Sequence, residues 1–344
     1  MTDDSAYSIR DFRLQSGVVL PEARIAYVTQ GRLAPDGRNA ILLTHGFTSS
    51  HHFAGTGGAG ASEGSWAALV GPGKAIDTER YFVVAANMLG SSYGSTSPAS
   101  LNPATGQPYG PDFPEITLSD IIAQQYTLLG HLGVDHLVAV IGPSYGGFQA
   151  FQWAVDYPTF MRGIVAVVSA PRPPSDRTTL EDMIATFAKD PAWNRGHHYT
   201  TEGGMAGTMK RIRVNTLSNY GLEADLAARI ADPAERGAEI ERLAEAWARV
   251  FDPNSMIALR KASMRFNVTP LFSRIKARVL YVLSTTDRLF PPALAEPVMQ
   301  ALSAAGVQAE YVELESDRGH LASGLDAAKW APALSRFLAR LTFD

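Results

Sequence analysis

Gly142-Pro143-Ser144-Tyr145-Gly146 places a hydroxyl between two glycines in the pattern Gly-x-Ser-x-Gly. The apolar run Leu137 to Ile141 before it reads as a buried strand, and Phe148 to Ala154 after it reads as the start of a helix. A serine at the apex of a sharp strand-to-helix turn is the context in which that hydroxyl serves as a nucleophile. Glycines let the backbone strands close around the strained serine, and the helix N-terminus aims N–H groups at the developing oxyanion.

Such a serine needs a base, and the base needs a carboxylate to orient it. On this architecture the acid and then the histidine follow the serine along the chain. After Ser144 only His197, His198 and His320 remain. The first two lie in a polar insert. His320 follows the strand-like Ala309 to Leu314, so it is the expected base. Asp287 follows another apolar run, Arg278 to Leu283, and is the expected acid. Asp317 is the alternative acid, but it is too near His320 in sequence to come from a separate strand end. Two backbone N–H groups should form the oxyanion site. One is that of Tyr145. The other is Phe47 in His45-Gly46-Phe47-Thr48, which follows the strand-like Ala40 to Thr44, with Thr48 as runner-up. His45 is expected to be bonded into its loop, and His51 and His52 to be solvated or to line the site. There is no His-Glu-x-x-His pattern and no cysteine, so neither a metal nor a cofactor is expected.

The elements that must position these groups can be read along the chain. Residues 6 to 34 alternate like antiparallel strands, with a turn at Ser16-Gly17. From Ala40 onward strands alternate with helical patterns: Tyr81 to Ala86, a helix over Ile116 to Leu132 with Thr117 as its cap, Gly163 to Ser169, and a closing helix over Trp330 to Leu341. Such alternation predicts an α/β fold with a mostly parallel sheet covered on both faces. The stretch 172–272 carries helical patterns and no convincing strand. It predicts a helical lid inserted into a core made of 1–171 and 273–344, set over the strand ends where ligands of such sheets bind.

With 344 residues, 46% hydrophobic and 19% charged, the chain can bury a large core and is not a disordered one. The net charge of −4 offers no basic stripe for nucleic acid or an anionic membrane. No run of 18 apolar residues predicts a membrane span. Met1-Thr2-Asp3-Asp4-Ser5 has no basic or apolar leader character, which predicts a cytoplasmic protein.

Several further motifs carry a resemblance. Gly71-Pro72-Gly73-Lys74-Ala75-Ile76-Asp77-Thr78, Asn87-Met88-Leu89-Gly90, Asn102-Pro103-Ala104-Thr105-Gly106, Tyr109 to Pro114 and Phe251-Asp252-Pro253-Asn254-Ser255 resemble the homoserine O-acetyltransferase branch of the α/β-hydrolases over nearly the whole chain. The resemblance implies the α/β-hydrolase fold, the triad Ser144, Asp287 and His320, and a homodimer joined through lid helices. In that branch the histidine is followed by an aspartate for the acceptor's amino group, where this chain has Leu321. A lid helix there carries an arginine for the acceptor's carboxylate and a tyrosine seven positions on. Aligned on Leu217-Ser218, those positions hold Met209 and Thr216, unless the register slips and Arg211 or Arg213 substitutes. Two charge-assisted contacts of about 1.5–3 kcal/mol each would then be missing. The pocket formed by Thr48, Met209 and Leu321 would be apolar. These readings predict a serine carboxylesterase that hydrolyses short-chain acetate esters through an acyl-enzyme on Ser144, with a small-molecule ester as its only partner besides itself. The alternative is an acetyl-CoA-dependent O-acetyltransferase with homoserine or another hydroxyl acceptor. A third reading is a non-catalytic ligand-binding relative.

Overall fold

The structure, a computed structural model, describes residues 4–55, 65–174 and 179–341. Met1 to Asp3 of the N-terminal reading and positions 175–178 of the expected insert lie outside them. Eight strands form the central sheet: β1 (Ser5–Arg13), β2 (Val19–Gln30), β3 (Ala40–Thr44), β4 (Phe82–Ala86), β5 (Leu137–Pro143), β6 (Met161–Val167), β7 (Arg278–Ser284) and β8 (Ala309–Leu314). Their spatial order is β1-β2-β4-β3-β5-β6-β7-β8. β2 runs antiparallel to both neighbours, and every pair from β4 to β8 is parallel.

The composition of the strands explains the layering. β3 and the first six residues of β5 are buried throughout, as expected where helices cover both faces of a parallel sheet. Alternate side chains enter opposite cores. Leu42, Val140, Ile164 and Tyr281 face one core. Ile41, Ile141, Val165 and Val282 face the other. The first core is closed by α1 (Leu118–His131) and α2 (Tyr145–Asp156), through Ile121, Leu128, Phe148 and Phe151. Trp330, Leu334 and Phe337 of the closing helix cover the second. α1 starts where the sequence predicts: Thr117 and Asp120 form a reciprocal capping box.

Between β6 and β7 the chain forms α3 (Leu180–Ala188), α4 (Ala206–Asn219), α5 (Leu222–Ala227), α6 (Pro233–Ala248) and α7 (Pro253–Met264). No strand occurs there among the described residues. These helices have small cores of their own, one around Phe187, Met209 and Trp247, another around Leu217, Leu226 and Ile240. α8 (Ala295–Ala304) follows β7, and α9 (Ala327–Ala339) closes the chain. No helix among the described residues is long and apolar enough to cross a membrane.

Candidate active site

Ser144 follows β5 directly and precedes the first residue of α2. Its backbone has φ 55° and ψ −119°, a conformation that L-residues seldom adopt. The neighbouring glycines make that turn possible. A Cβ on Gly142 would collide with Thr44 Oγ1 and Thr44 O, and a Cβ on Gly146 would collide with Thr44 O. Thr44 is itself fixed there, donating its hydroxyl to Gly146 O at 2.8 Å. Behind the turn, Ser169 Oγ donates to Ser144 O at 2.7 Å, and Tyr281 OH donates to Ser169 O at 2.7 Å. The strain of the turn is held by its surroundings.

Asp287 and His320 stand past the ends of β7 and β8. Residues Ser284 and Leu314 are paired across those strands, so the two loops leave the sheet side by side. Asp287 Oδ2 lies 2.8 Å from His320 Nδ1. Both residues are buried, Asp287 at 2% exposure. Burial by itself would push the Asp287 carboxyl up. The charge and hydrogen bond of His320 and the backbone N–H groups of Leu289 and Phe290 outweigh it, and the carboxyl sits below its ordinary value. An ionised carboxylate only accepts, so Nδ1 is the donor of this hydrogen bond, which leaves Nε2 on the side of the ring away from Asp287. The imidazole packs against two rings, with centroids at 4.9 Å for Tyr220 and 5.7 Å for Phe290. Asp317 is exposed and pairs with Arg318, not with His320.

Ser144, His320 and Leu321 line one small cavity of about 30 Å³ together with Gly46, Phe47 and Tyr220. Phe47 thus stands beside Ser144, and a Cβ on Gly46 would lie 3.9 Å from Ser144 Cβ. The N–H of Tyr145 is at the first turn of α2, among the amides that have no partner within a helix. His45 is bonded into its loop, with Gly46 O at 2.9 Å from Nδ1 and Asn87 Oδ1 at 2.9 Å from Nε2. Leu321 meets the cavity on one side and packs on Leu217 and Leu222 on the other.

Two residues expected in the pocket stand elsewhere. Met209 is buried in the lid core with Trp247 and Phe251 and does not line the cavity. Thr48 is an anchor: its hydroxyl accepts from Arg213 Nη1 at 3.1 Å and its carbonyl from Trp247 Nε1 at 3.0 Å. Arg213, wholly buried on α4, also places its guanidinium 5.0 Å from the centre of the Trp247 ring. Arg213 and Tyr220 stand seven positions apart toward the end of α4, one helical turn after Met209 and Thr216. Tyr220 lines the cavity, and Arg213 does not.

The inserted helices also meet the loop of His320 through backbone. Gly221 and Gly319 both have positive φ. A Cβ on Gly319 would lie 2.9 Å from Tyr220 O, and one on Gly221 3.0 Å from Arg318 O. Arg318 Nη1 donates to Ala224 O of α5. Of the two histidines of the insert, His197 is exposed and His198 is buried, facing Asp252 at 3.1 Å within the insert's own framework. Among the described residues, the group that could hold a metal is Asp4, His51 and His52, whose ligand atoms lie within 4.8 Å of one another. His51 is buried, not solvated. That burial, with His52 and His45 nearby, pulls it down to about 3. No step below uses this group.

The α/β-hydrolase fold model matches residues 39–327. The chain is 36% identical to the homoserine O-acetyltransferase of Geobacter sulfurreducens, over 96% of this chain and 95% of that one. It is 36% identical to that of Caulobacter vibrioides, over 96% and 93%. Among solved structures, esterase E22 superposes with a TM-score of 0.86 at 28% identity, covering 98% of this chain and all of that one. Homoserine O-acetyltransferase from Bacillus anthracis superposes with a TM-score of 0.85 at 27% identity, covering 98% of each. These relatives correct the expectation of ester hydrolysis, since homoserine O-acetyltransferases are 33–36% identical to this chain over 94–96% of its length. The expectation of hydrolysis rested on Leu321 after His320 and on Met209 and Thr216 in α4; Leu321 does line the cavity, Met209 does not, and Tyr220 supplies a phenol there that the sequence alignment had not placed.

Proposed function

The chain belongs to the α/β-hydrolase family, in the branch of the homoserine O-acetyltransferases, and on that premise we propose that it moves an acetyl group from acetyl-CoA to a hydroxyl acceptor. The observation that carries this reading is the full-length kinship to homoserine O-acetyltransferases. The burial of the nucleophile supports it, because an acyl-enzyme that waits for an acceptor must be kept from water, and Ser144 is only 9% exposed.

In the first half-reaction His320 Nε2 takes the Ser144 hydroxyl proton while Oγ attacks the acetyl carbonyl carbon. The N–H groups of Phe47 and Tyr145 hold the oxyanion. The thioester C–S bond breaks, and the sulfur leaves with the proton from Nε2. In the second, Nε2 takes the acceptor's hydroxyl proton, the acceptor oxygen attacks the acetyl carbon, and Ser144 Oγ leaves and recovers the proton. Asp287 orients the imidazole and stabilises its charged form throughout. The helices over 172–272 serve as a lid. Arg213 braces the Phe47-Thr48 loop against α4 through Thr48 and Trp247. The assembly we propose is a homodimer through lid helices, where Ile184, Val250 and Met264 are exposed apolar side chains, in a cytoplasmic setting that supplies the thioester.

Mass spectrometry of the chain after brief exposure to acetyl-CoA alone tests the first half-reaction. One acetyl group on the peptide bearing Ser144, absent in Ser144→Ala, is the expected result. Release of CoA with no acetyl on Ser144 would refute it.

A further inference from the structure

A groove of about 330 Å³ adjoins the catalytic cavity and shares Phe47 and Tyr220 with it. Its walls come from separate elements. Thr216 and Asn219 belong to the end of α4, Arg260 and Ser263 to α7, and Arg288 to the loop just after Asp287. Two arginines therefore converge from distant parts of the chain. No carboxylate lines either the groove or the cavity among the described residues. Arg260 is half-buried and burial pulls it below its ordinary value, yet a guanidinium stays charged at any pH at which proteins fold. Nothing in the acetyl-transfer steps at Ser144 uses these two charges.

We propose that this groove is an anion subsite, in which Arg260 and Arg288 hold a phosphate or carboxylate of a substrate whose reacting end reaches Ser144. Planar guanidinium groups bind such oxyanions in a forked geometry, and hydroxyl and amide groups at Ser263, Thr216 and Asn219 can complete the bonding. The identity of the anion rests on the acetyl-transfer reading. The phosphates of the CoA donor and the carboxylate of the acceptor share this chemistry, and the test below distinguishes them. A free ammonium group would find no anionic partner here.

The test uses full-length Arg288→Gln, Arg260→Gln and the double variant. Arg288 is exposed, so its substitution leaves the core untouched. Steady-state kinetics compare acetyl-CoA with S-acetyl-N-acetylcysteamine, a neutral thioester. Calorimetry in the Ser144→Ala background measures binding of CoA and of L-homoserine without turnover. If the donor phosphate occupies the groove, KM for acetyl-CoA and Kd for CoA rise about 10-fold or more, while kinetics with the neutral thioester stay put. If the acceptor carboxylate occupies it, the rise is in KM and Kd for homoserine, with either donor. Unchanged binding of both ligands in the double variant overturns the subsite. So does failure of the parent Ser144→Ala chain to bind either. Because the binding arm needs no turnover, the subsite can fail while acetyl transfer stands, and acetyl transfer can fail while the subsite stands.

Discussion

Ser144, His320 and Asp287 act in this account as one unit, so their substitutions should not add. Ser144→Ala should lower kcat by at least ~10³-fold with the fold intact, and His320→Ala by a similar factor. The double variant should cost little more than either single one. Near-normal turnover of Ser144→Ala, or independent effects in the pair, would remove the nucleophile assignment. Asp287 adds a prediction about pH and stability. Its folded carboxyl sits below the ordinary value, so folding favours the ionised form. That contribution is complete above the carboxyl's unfolded value, near ~4, and is lost as pH falls through the lower folded value. Thermal unfolding followed from pH ~6 to ~3 should therefore show a steeper fall for the parent than for Asp287→Asn. Parallel curves would mean that the buried pair does not favour the charged carboxylate.

Between elements, the lid governs the base. Tyr220 ends α4 against the His320 ring, and the backbones at Tyr220-Gly221 and Arg318-Gly319 touch where only glycine fits. Gly319→Ala adds a Cβ beside Tyr220 O at a left-handed φ. It should cost about 1–2 kcal/mol in backbone strain and lower kcat as His320 is displaced. Equal kcat with unchanged stability would show that the lid does not position the base. Arg213 ties the same helix to the Phe47-Thr48 loop. Arg213→Lys loses the planar fork over Trp247 and should lower stability by about 1–3 kcal/mol and loosen the Phe47-Thr48 loop, read as a lower Tm and a lower kcat. This contact also shows where sequence reading reached its limit. β5, Ser144 and α2 were legible because apolar runs and glycines leave strong local signals, and so were the loops of Asp287 and His320. Register inside α4 was not. Met209 and Arg213 are one turn apart and both buried, as Thr216 and Tyr220 are one turn apart, so a slip of four residues preserves the face. α7 was seen only as the motif Asp252-Pro253-Asn254-Ser255. Its cap, Asp252 accepting from Asn254 and Ser255, and Pro253 in its first turn mark a helix start that periodicity alone passed over.

Across the whole molecule, the parallel strands from β3 to β8 bring the turns after β3, β5, β7 and β8 to one edge of the sheet, and the helices between β6 and β7 supply Tyr220 to the cavity there. An arrangement that hides an acyl-enzyme should favour transfer over loss to water, and this is the claim on which the account depends. The deciding measurement is the fate of the acetyl group when the enzyme meets acetyl-CoA with and without L-homoserine. CoA release, acetate and O-acetylhomoserine are followed together. The account predicts slow release without acceptor, a rate that climbs with homoserine, and O-acetylhomoserine rising in step with CoA. Release that is fast without acceptor, indifferent to homoserine and matched by acetate would contradict it.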